Sequence, residues 1–282
     1  MNYLQLDHQS VLNALPERNL YSHKGDFGKI LLLCGSEGYT GAAALAALGA
    51  LRVGAGLVYL GVPRCIYAIE AVKLLEPIVF PLPDRCGVMS KDAIAVISSM
   101  LPIMDAVLIG PGIGRTEDIN CLLEWLLINF TGPIVIDADG IYHLCEHIDI
   151  LRGRTYPTIL TPHEGEFNRL MGEKILDRVD AAIAAAEKLH SIIVLKGHNT
   201  VITDANTVYI NTTGNPGMAV GGSGDILAGM IVGLLGQKLE PLKASAMGAW
   251  IHGAAGDICS KEIGMYGMLP SDMINVIPRL LK

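Results

Sequence analysis

Residues 214–236 read GNPGMAVGGSGDILAGMIVGLLG, a glycine-dense loop that ends in the carboxylate of Asp225 and continues into an apolar segment with helical spacing. Glycine allows backbone conformations closed to other residues and lets a ligand approach the main chain closely. Free N–H groups at the start of a helix, with the positive end of the helix dipole behind them, form a binding site for anions. The stretch therefore predicts an anion hole built from Gly222, Ser223 and Gly224.

Asp225 is the unexpected residue of this loop, because a carboxylate repels a bound phosphate. A carboxylate in this position can accept the proton of a hydroxyl group that attacks a phosphoryl group, so Asp225 is the predicted catalytic base. The alternative is that Asp225 caps the helix and that the glycines only form a tight turn. Three glycines within the four residues before Asp225 favour the catalytic interpretation.

The composition of the whole chain limits the kinds of protein it can be. Of its 282 residues, 51% are hydrophobic and 17% are charged, which allows a large core and argues against disorder. The net charge of −7 argues against general nucleic-acid binding. Six dispersed cysteines without a CxxC pair indicate buried thiols in a reducing compartment. No signal-peptide pattern or membrane span is recognisable, and we expect a cytoplasmic protein.

Strand-like and helix-like segments alternate along nearly the whole chain. The predicted strands are 29–34, 57–62, 77–80, 105–110, 133–137, 158–161 and 191–196, with a hairpin over 200–203 and 207–211. The predicted helices are 8–15, 42–53, 65–75, 91–100, 117–129, 180–190, 226–236, 244–261 and 271–281, and residues 81–84 are predicted to form a loop. This order predicts one α/β domain over residues 1–282, with a mainly parallel sheet covered by helices on both faces.

Ligands of such sheets bind at the carboxyl ends of the strands, so the loops that follow strands are the candidate site. The GPGIG loop at 110–114 lacks the spacing of a dinucleotide fingerprint. It is either a turn or a place where a ligand packs on the bare backbone of Gly112. After another strand, Lys196, Gly197, His198, Asn199 and Thr200 could hold a nucleotide, or the lysine could be solvated. The aspartates at 137 and 139 could position the residues that contact the ligand, or they could be merely polar strand-end residues, which is the interpretation we prefer.

The stretch LTPHEGEF at 160–167 combines a histidine and two carboxylates after a strand. Pro162 suits the first turn of a helix, which would place His163 and Glu166 on one face. There His163 could bind a polar group of the substrate, and Glu166 could bind a hydrated Mg²⁺. The alternative is a capping arrangement of Thr161 with the acidic residues of the first turn.

These motifs together resemble one branch of the ribokinase-like superfamily, the ADP/ATP-dependent NAD(P)H-hydrate dehydratases. The resemblance spans residues 22–236 and rests on SHKGDFGKILLLCGS with GAAALAALGALRVGAGLV, on GPGIG, on LTPHEGEF, and on VLKGHNTVI before GNPGMAVGGSGD. The chain departs from the family at Tyr142, where an Asn is expected, and at Ser223, where a Thr is usual but the hydroxyl is kept. Related kinases carry Asn-x-x-Glu where this chain has His163-x-x-Glu166.

The resemblance implies a single-domain, three-layer ribokinase-like fold and a lyase that repairs the S-form of NAD(P)H hydrate (NADHX and NADPHX). ADP or ATP is the implied co-substrate, with Mg²⁺, and the products are NAD(P)H, AMP and phosphate. The residues implied to bind the hydrate are Ala42, Ala43, Gly112, His163 and Asp225. The nucleotide would bind residues 196–200 and Gly224, with Glu166 near the metal ion. We expect a homo-oligomer, such as a tetramer, with the dehydratase domain alone and a separate NAD(P)H-hydrate epimerase as its functional partner.

Two other functions are compatible with the residues. A small-molecule hydroxyl kinase of the same superfamily, of the thiazole- or pyrimidine-kinase type, would stop at a stable phosphate ester. A nucleotide-binding sensor would bind without turnover. TPHEGE and SHKGDFG favour the dehydratase over the kinase, and Asp225 argues against the sensor, since a pure phosphate binder has no use for a carboxylate there.

Overall fold

The computed structural model describes residues 3–282, so the first two residues of the predicted 1–282 domain lie outside the described part. The strands are β1 (Lys29–Leu33), β2 (Leu57–Pro63), β3 (Ile78–Leu82), β4 (Asp84–Arg85), β5 (Val88–Met89), β6 (Ala106–Ile109), β7 (Ile134–Ile136), β8 (Thr158–Leu160), β9 (Ile192–Leu195), β10 (Thr200–Thr203) and β11 (Val208–Asn211). The helices are α1 (His8–Ala14), α2 (Thr40–Arg52), α3 (Arg64–Lys73), α4 (Ala93–Met100), α5 (Glu117–Asn129), α6 (Asp139–Leu144), α7 (Ile148–Gly153), α8 (Glu164–Met171), α9 (Arg178–Leu189), α10 (Ser223–Gly236), α11 (Pro241–Glu262) and α12 (Pro270–Val276).

One nine-stranded sheet organises the described residues, in the order β11-β10-β9-β8-β7-β6-β1-β2-β3. The strands from β9 to β3 pair in parallel. Strand β10 is antiparallel to both of its neighbours, which forms the predicted hairpin at one edge. The α/β prediction with a mainly parallel sheet is confirmed.

Two hydrophobic clusters cover the two faces of the sheet. In β1, Ile30 and Leu32 belong to one cluster, whereas Leu31 and Leu33 belong to the other, because successive side chains of a strand point to opposite faces. Helices α2, α10 and α11 supply the first cluster, and α5, α8 and α9 supply the second. The result is the predicted three-layer arrangement of helices, sheet and helices.

Helices α2 and α10 cross at very short range through their small residues. A Cβ atom at Gly229 would overlap the carbonyl oxygen of Ala46. A Cβ atom at Gly49 would lie 2.6 Å from the carbonyl oxygen of Ile226. Glycine is required at these positions because another residue would force the two helices apart. The contact, which we call the α2–α10 seam, brings the first turns of both helices to the carboxyl edge of the sheet.

Some predicted elements differ from the structure. The predicted loop at 81–84 is wrong, since β3 continues to Leu82 and Asp84 begins the separate β4–β5 hairpin. Pro81 is tolerated in β3 because that strand lies at the edge of the sheet, where the missing N–H interrupts no further ladder. Helices α6 and α7, six residues each, were not predicted, because such short segments carry little periodicity.

Solvent exposure corrects one further expectation. All six cysteines are free, but only Cys34 and Cys259 are buried, and Cys65 and Cys86 are exposed. The expectation of uniformly buried thiols is therefore wrong. Among residues 3–282, no helix combines the length and the apolar character needed to cross a membrane.

Candidate active site

The polar loops converge at the carboxyl ends of five neighbouring strands. Strands β9, β8, β7, β6 and β1 are adjacent in the sheet, and the chain leaves each of them into one of the predicted loops. Lys196, Thr161, Asp137 and Gly110 are the first residues after β9, β8, β7 and β6. The sheet order therefore brings together residues that are far apart in the sequence, as expected for a doubly covered parallel sheet.

A cleft of about 750 Å³ opens at this edge. Its walls include five of the residues predicted to contact ligands or metal, namely Ala42, Gly112, Glu166, Gly222 and Asp225. Gly112 has a φ of +59°, and a Cβ atom there would come within 3.0 Å of both Tyr39 and Ala42. Bare backbone at Gly112 therefore forms part of the wall, which supports the ligand-packing alternative for the GPGIG loop.

The start of α10 presents N–H groups that the protein itself does not use. Within residues 3–282, the N–H groups of Gly222, Gly224 and Asp225 have no hydrogen-bond acceptor. The N–H of Ser223 instead donates to the carbonyl of Val220 at 3.3 Å. Gly222, with a φ of +97°, is the N-cap residue. The free N–H groups of this turn are therefore those of Gly222, Gly224 and Asp225, whereas the N–H of Ser223 is not free. The anion hole stays a prediction, and the Asp225 N–H takes the place expected for that of Ser223.

The Ser223 side chain also faces away from the cleft. Its hydroxyl lies 3.3 Å from Nε2 of His252 on α11, and both residues are buried. Burial lowers the pKa of His252 to about 4, so the imidazole is neutral at pH 7. The hydroxyl kept at this position therefore fastens α10 to α11.

Asp225 is the third residue of α10 and not its N-cap, so the capping alternative is wrong. The carboxylate lines the cleft. Burial raises its pKa to about 6, the Asp137 carboxylate adds to the rise, and the Lys196 ammonium partly offsets it. A base with a pKa near the working pH combines availability with proton affinity, which suits general-base catalysis.

Lys196 is held in a buried ion pair beside the anion hole. Its Nζ donates to Oδ1 of Asp137 at 2.7 Å, and the same oxygen accepts a bond from the hydroxyl of Thr161 at 2.7 Å. A Cβ atom at Gly224 would lie 3.2 Å from Nζ, which places the ammonium against the first turn of α10. Burial alone would lower the pKa of Lys196, but Asp137 and Glu166 outweigh burial and raise it. The solvated alternative for Lys196 is wrong.

The interpretation of the two aspartates as merely polar strand-end residues is also wrong. Asp137 is 1% exposed and orients Lys196. Asp139 accepts bonds from the Gly114 N–H at 3.1 Å and from Nε of Arg115 at 2.7 Å, so it ties the GPGIG loop to α6. Both aspartates follow strand β7, which ends at the candidate site. Their position just after a strand is the feature of the sequence that could have indicated a role in the site.

His163 and Glu166 form a reciprocal cap at the start of α8. The His163 ring accepts bonds from the N–H groups of Gly165 and Glu166, and Glu166 Oε2 accepts the His163 N–H at 2.8 Å. The predicted cap at Thr161 is wrong, because the helix begins after His163 and Pro162 lies before it. Glu166 is nearly buried and lies 3.9 Å from Nζ of Lys196, whereas the His163 side chain is 61% exposed.

The remaining predicted residues differ in their access to ligands. Residues 197–199 form an exposed turn, in which Thr200 donates its hydroxyl to the Gly197 carbonyl at 2.9 Å. This turn lies outside the cleft wall and leaves His198 and Asn199 open to solvent. Ala43 is fully buried against the core and has no surface with which to contact a substrate, so the prediction of Ala43 as a contact residue is wrong.

The SHKG segment, which carries part of the resemblance, lies away from the cleft. His23 caps a short 3₁₀ turn (Lys24–Phe27), and its N–H donates to Asp26 at 2.8 Å. The Phe27 carbonyl accepts the Gly56 N–H just before β2. These residues precede β1 and β2, so they lie at the amino ends of the strands, opposite to the cleft, where they join the segment before β1 to the segment before β2.

The chain is similar to known proteins over nearly its whole length. The chain is 42% identical over 276 residues to the bifunctional NAD(P)H-hydrate repair enzyme Nnr of Moorella thermoacetica, which covers 96% of this chain and 52% of that protein. It is 31% identical to the ADP/ATP-dependent NAD(P)H-hydrate dehydratase of Bacillus subtilis, co-crystallised with ATP/Mg²⁺, with a TM-score of 0.82 over 99% of this chain and 98% of that one. A ribokinase-like superfamily protein of Enterococcus faecalis is 28% identical, with a TM-score of 0.84 over 98% and 94% of the two chains.

The chain spans about half the length of the curated relatives it matches, 52% in the first of them. The family model described as NAD(P)H-hydrate dehydratase matches residues 30–279, which include every strand of the sheet except the first residue of β1. All of the residues that line the cleft fall inside this match. On this match, and on the ribokinase-like fold that carries the cleft, the chain belongs to the NAD(P)H-hydrate dehydratase family.

Proposed function

We propose that this chain catalyses the ADP-dependent dehydration of the S-form of NAD(P)H hydrate to NAD(P)H, with release of AMP and phosphate. The observation that carries the proposal is the juxtaposition at the start of α10. Asp225 has a raised pKa and lines a cleft, and unpaired N–H groups of the same turn can hold a phosphoryl group. Family membership supports the same reaction.

In the first step Asp225 accepts the proton of the C6 hydroxyl of the hydrate. The oxygen attacks the terminal phosphoryl group of ADP, and the bond from that phosphorus to the bridging oxygen breaks, which releases AMP. Negative charge develops on the transferred group, where the N–H groups of Gly222, Gly224 and Asp225 and the Lys196 ammonium stabilise it.

In the second step the ring nitrogen expels phosphate from C6. Phosphate is a far better leaving group than hydroxide, which is why the hydroxyl is phosphorylated first. Loss of a ring proton then restores the dihydronicotinamide. The cleft shields this chemistry, and Gly112 and Ala42 give the ring a wall without side-chain bulk.

The residues also fit a nucleotide-bound Mg²⁺, as in the relative co-crystallised with ATP/Mg²⁺. Magnesium keeps several waters and takes one or two carboxylates together with phosphate oxygens. Glu166 offers one such carboxylate, since its Oε1 accepts no N–H or O–H bond from residues 3–282. No cluster of three or more metal-ligating side chains occurs among those residues. The ion would neutralise phosphate charge, and we assign Glu166 to hold it.

The decisive experiment replaces Asp225 by Asn and measures hydrate-dependent AMP release. The rate should fall at least about 100-fold, the lower end of the effect of removing a general base. Asp180→Asn is the matched control, because Asp180 occupies the same third position in α9 but is exposed. A rate above a tenth of wild type in Asp225→Asn, with the control unaffected, would reject Asp225 as the base.

The same assay separates the alternatives. A dehydratase returns free phosphate and the absorbance of NADH in equal amounts with AMP. A hydroxyl kinase gives AMP without free phosphate or NADH absorbance, and a sensor gives no AMP. The kinase alternative is less supported, because the family model that matches residues 30–279 is described as NAD(P)H-hydrate dehydratase.

The biological setting follows from the same family. The bifunctional name of the longer relatives is consistent with an epimerase joined to such a domain, and we propose that a separate NAD(P)H-hydrate epimerase supplies the S-form to this chain. We further propose a cytoplasmic homo-oligomer, such as a tetramer. Light scattering on the purified protein gives its mass directly, and a mass of one chain would contradict the oligomer.

A further inference from the structure

Two arginines contact one aromatic ring at the rim of the cleft. The guanidinium carbon of Arg115 lies 4.6 Å from the ring centroid of Tyr142, and that of Arg169 lies 5.6 Å from it. Tyr142 is 38% exposed, and both arginines are exposed at the surface. We call these three residues the rim cluster. Tyr142 is also the residue that replaces the Asn expected in the family.

The rim cluster carries positive charge that the protein only partly neutralises. Arg115 uses its Nε to bind Asp139 at 2.7 Å, which leaves its two terminal nitrogens without partners among residues 3–282. Arg169 has no ion pair within the same residues. Two cations that share one ring repel each other, and an anion between them removes that repulsion. Arginine forks match phosphate oxygens geometrically.

The cluster continues the wall of the cleft outward. Asp139 and Glu166 line the cleft at the starts of α6 and α8. Tyr142 and Arg169 lie three residues further along the same helices and therefore on the same faces, about one turn away from the reacting end. Arg115 belongs to both the cleft wall and the cluster. A ligand with its ring at Asp225 that extends along this wall reaches the rim cluster.

We propose that the rim cluster binds a phosphate group of the dinucleotide substrate and fixes its non-reacting half. The proposal rests on the proposed function for the identity of the substrate. The phosphate is either the pyrophosphate, present in NADHX and NADPHX alike, or the 2′-phosphate, present only in NADPHX. In the second case the cluster determines the preference between the two substrates.

The test compares Arg169→Gln with wild type, because Arg169 can be changed without disturbing the Asp139 contact. The KM for the hydrate should rise about tenfold, as expected for a lost charge-assisted contact. The kcat and the KM for ADP should change less than about twofold, because the contact is made equally in the ground and transition states. A rise in the KM for NADPHX alone identifies the 2′-phosphate as the group that the rim cluster binds. An equal rise in the KM for both hydrates identifies the pyrophosphate. Tyr142→Leu should show the same pattern with a smaller rise.

Arg279→Gln is the matched control, since Arg279 is equally exposed and pairs with Glu262 outside the cleft. The proposal would be overturned if Arg169→Gln left the KM for both hydrates unchanged. It would also be overturned if only the KM for ADP rose. A second measurement does not depend on the proposed reaction. It determines the affinity of the protein for NADPH and for NADH in the absence of ADP, from the change in cofactor fluorescence on binding. Weaker binding in Arg169→Gln supports the cluster even if wild type forms no AMP. Equal binding of both cofactors by variant and wild type would reject it.

Discussion

The two walls of the active-site cleft control negative charge with different parts of the chain. The glycine wall, residues 221–225 at the start of α10, offers backbone N–H groups and one carboxylate. The charged wall consists of Glu166, which lines the cleft, and of Asp137, Thr161 and Lys196, which follow β7, β8 and β9 and do not line the cleft themselves. Its side chains are linked to one another. The glycine wall depends on how closely two helices pack, and the charged wall depends on a balance of buried charges. One added methyl group should therefore disrupt the first, and one removed charge should disrupt the second.

The largest effect is expected from Lys196→Met, which leaves the buried Asp137 carboxylate without its cation. Breaking one partner of a buried pair costs about 3–5 kcal/mol of the free energy of unfolding, measured by urea denaturation. The double variant Lys196→Met with Asp137→Asn should recover much of that loss, because the unpaired charge is gone. Nucleotide affinity, measured by calorimetry, should stay low in both. Full affinity in the double variant would show that Lys196 serves the fold alone.

The corresponding test of the glycine wall is Gly229→Ala in the α2–α10 seam. The added Cβ would overlap the carbonyl of Ala46, so we expect a loss of about 2–3 kcal/mol in spite of the better helix propensity of alanine. The KM for nucleotide should rise as well, because the first turn of α10 shifts. Gly153→Ala in α7, outside the cleft and with no atom within 4 Å of the added Cβ, is the control for both measurements. Equal stability of the two variants would mean that the helices can move apart at the seam at little cost in free energy.

Asp225→Asn should change stability in the opposite direction, because it should stabilise the protein. The pKa of Asp225 is raised to about 6 in the folded state, so its ionised form opposes folding at higher pH. Removing the charge should raise the free energy of unfolding by about 1–2 kcal/mol at pH 8. The loss of the favourable interaction between the carboxylate and the helix dipole reduces this gain. The gain should shrink as the pH falls through 6 and vanish only below about pH 4, where the carboxyl group of wild type becomes protonated in the unfolded state as well. Thermal melts across this range provide the measurement, and a gain that does not depend on pH would contradict the raised pKa.

The same shift predicts how activity depends on pH. In wild type, kcat/KM should fall about tenfold for each pH unit below 6 as Asp225 becomes protonated and can no longer accept a proton. Initial rates of AMP release between pH 5 and pH 8 test this expectation. A profile that stays flat down to pH 5 would place the pKa of the base well below 6.

The smallest effect is expected from Thr161→Val, which removes one hydrogen bond from the charged wall and keeps its shape. Asp137 still accepts from Lys196, so we expect a loss of about 1 kcal/mol in urea denaturation. Thr207→Val, at a residue outside both the cleft and the sheet, is the control for the substitution itself. A loss as large as that of Lys196→Met would show that the hydroxyl, and not the ammonium, satisfies Asp137.

The glycine wall could be predicted from the sequence because its parts are consecutive. Gly222, Gly224 and Asp225 lie within four consecutive residues, and their predicted role depends only on a helix that starts there. Even so, which N–H groups remain unpaired could not be predicted, because the Ser223 N–H turns to Val220. The parallel sheet and most of its strands followed from the alternation of apolar runs.

The charged wall could be predicted only as a set of separate candidates. Asp137 and Lys196 are 59 residues apart, and their contact exists because β8 alone separates β7 from β9. Sequence patterns do not give the order of strands in a sheet, so nothing in the sequence could pair them. The start of α8 was misplaced for a local reason, since a histidine ring accepting N–H bonds is an uncommon N-cap.

The α2–α10 seam has a consequence for the proposed binding of a nucleotide. Because Gly49 and Gly229 leave no space between the helices, the first turn of α10 cannot tilt without moving α2 and the sheet beneath it. The conformational entropy of that turn is therefore lost once, during folding, and not again each time a phosphate arrives. Binding energy from the phosphates is then available for orienting the hydrate. Close packing far from any ligand atom thus contributes to affinity.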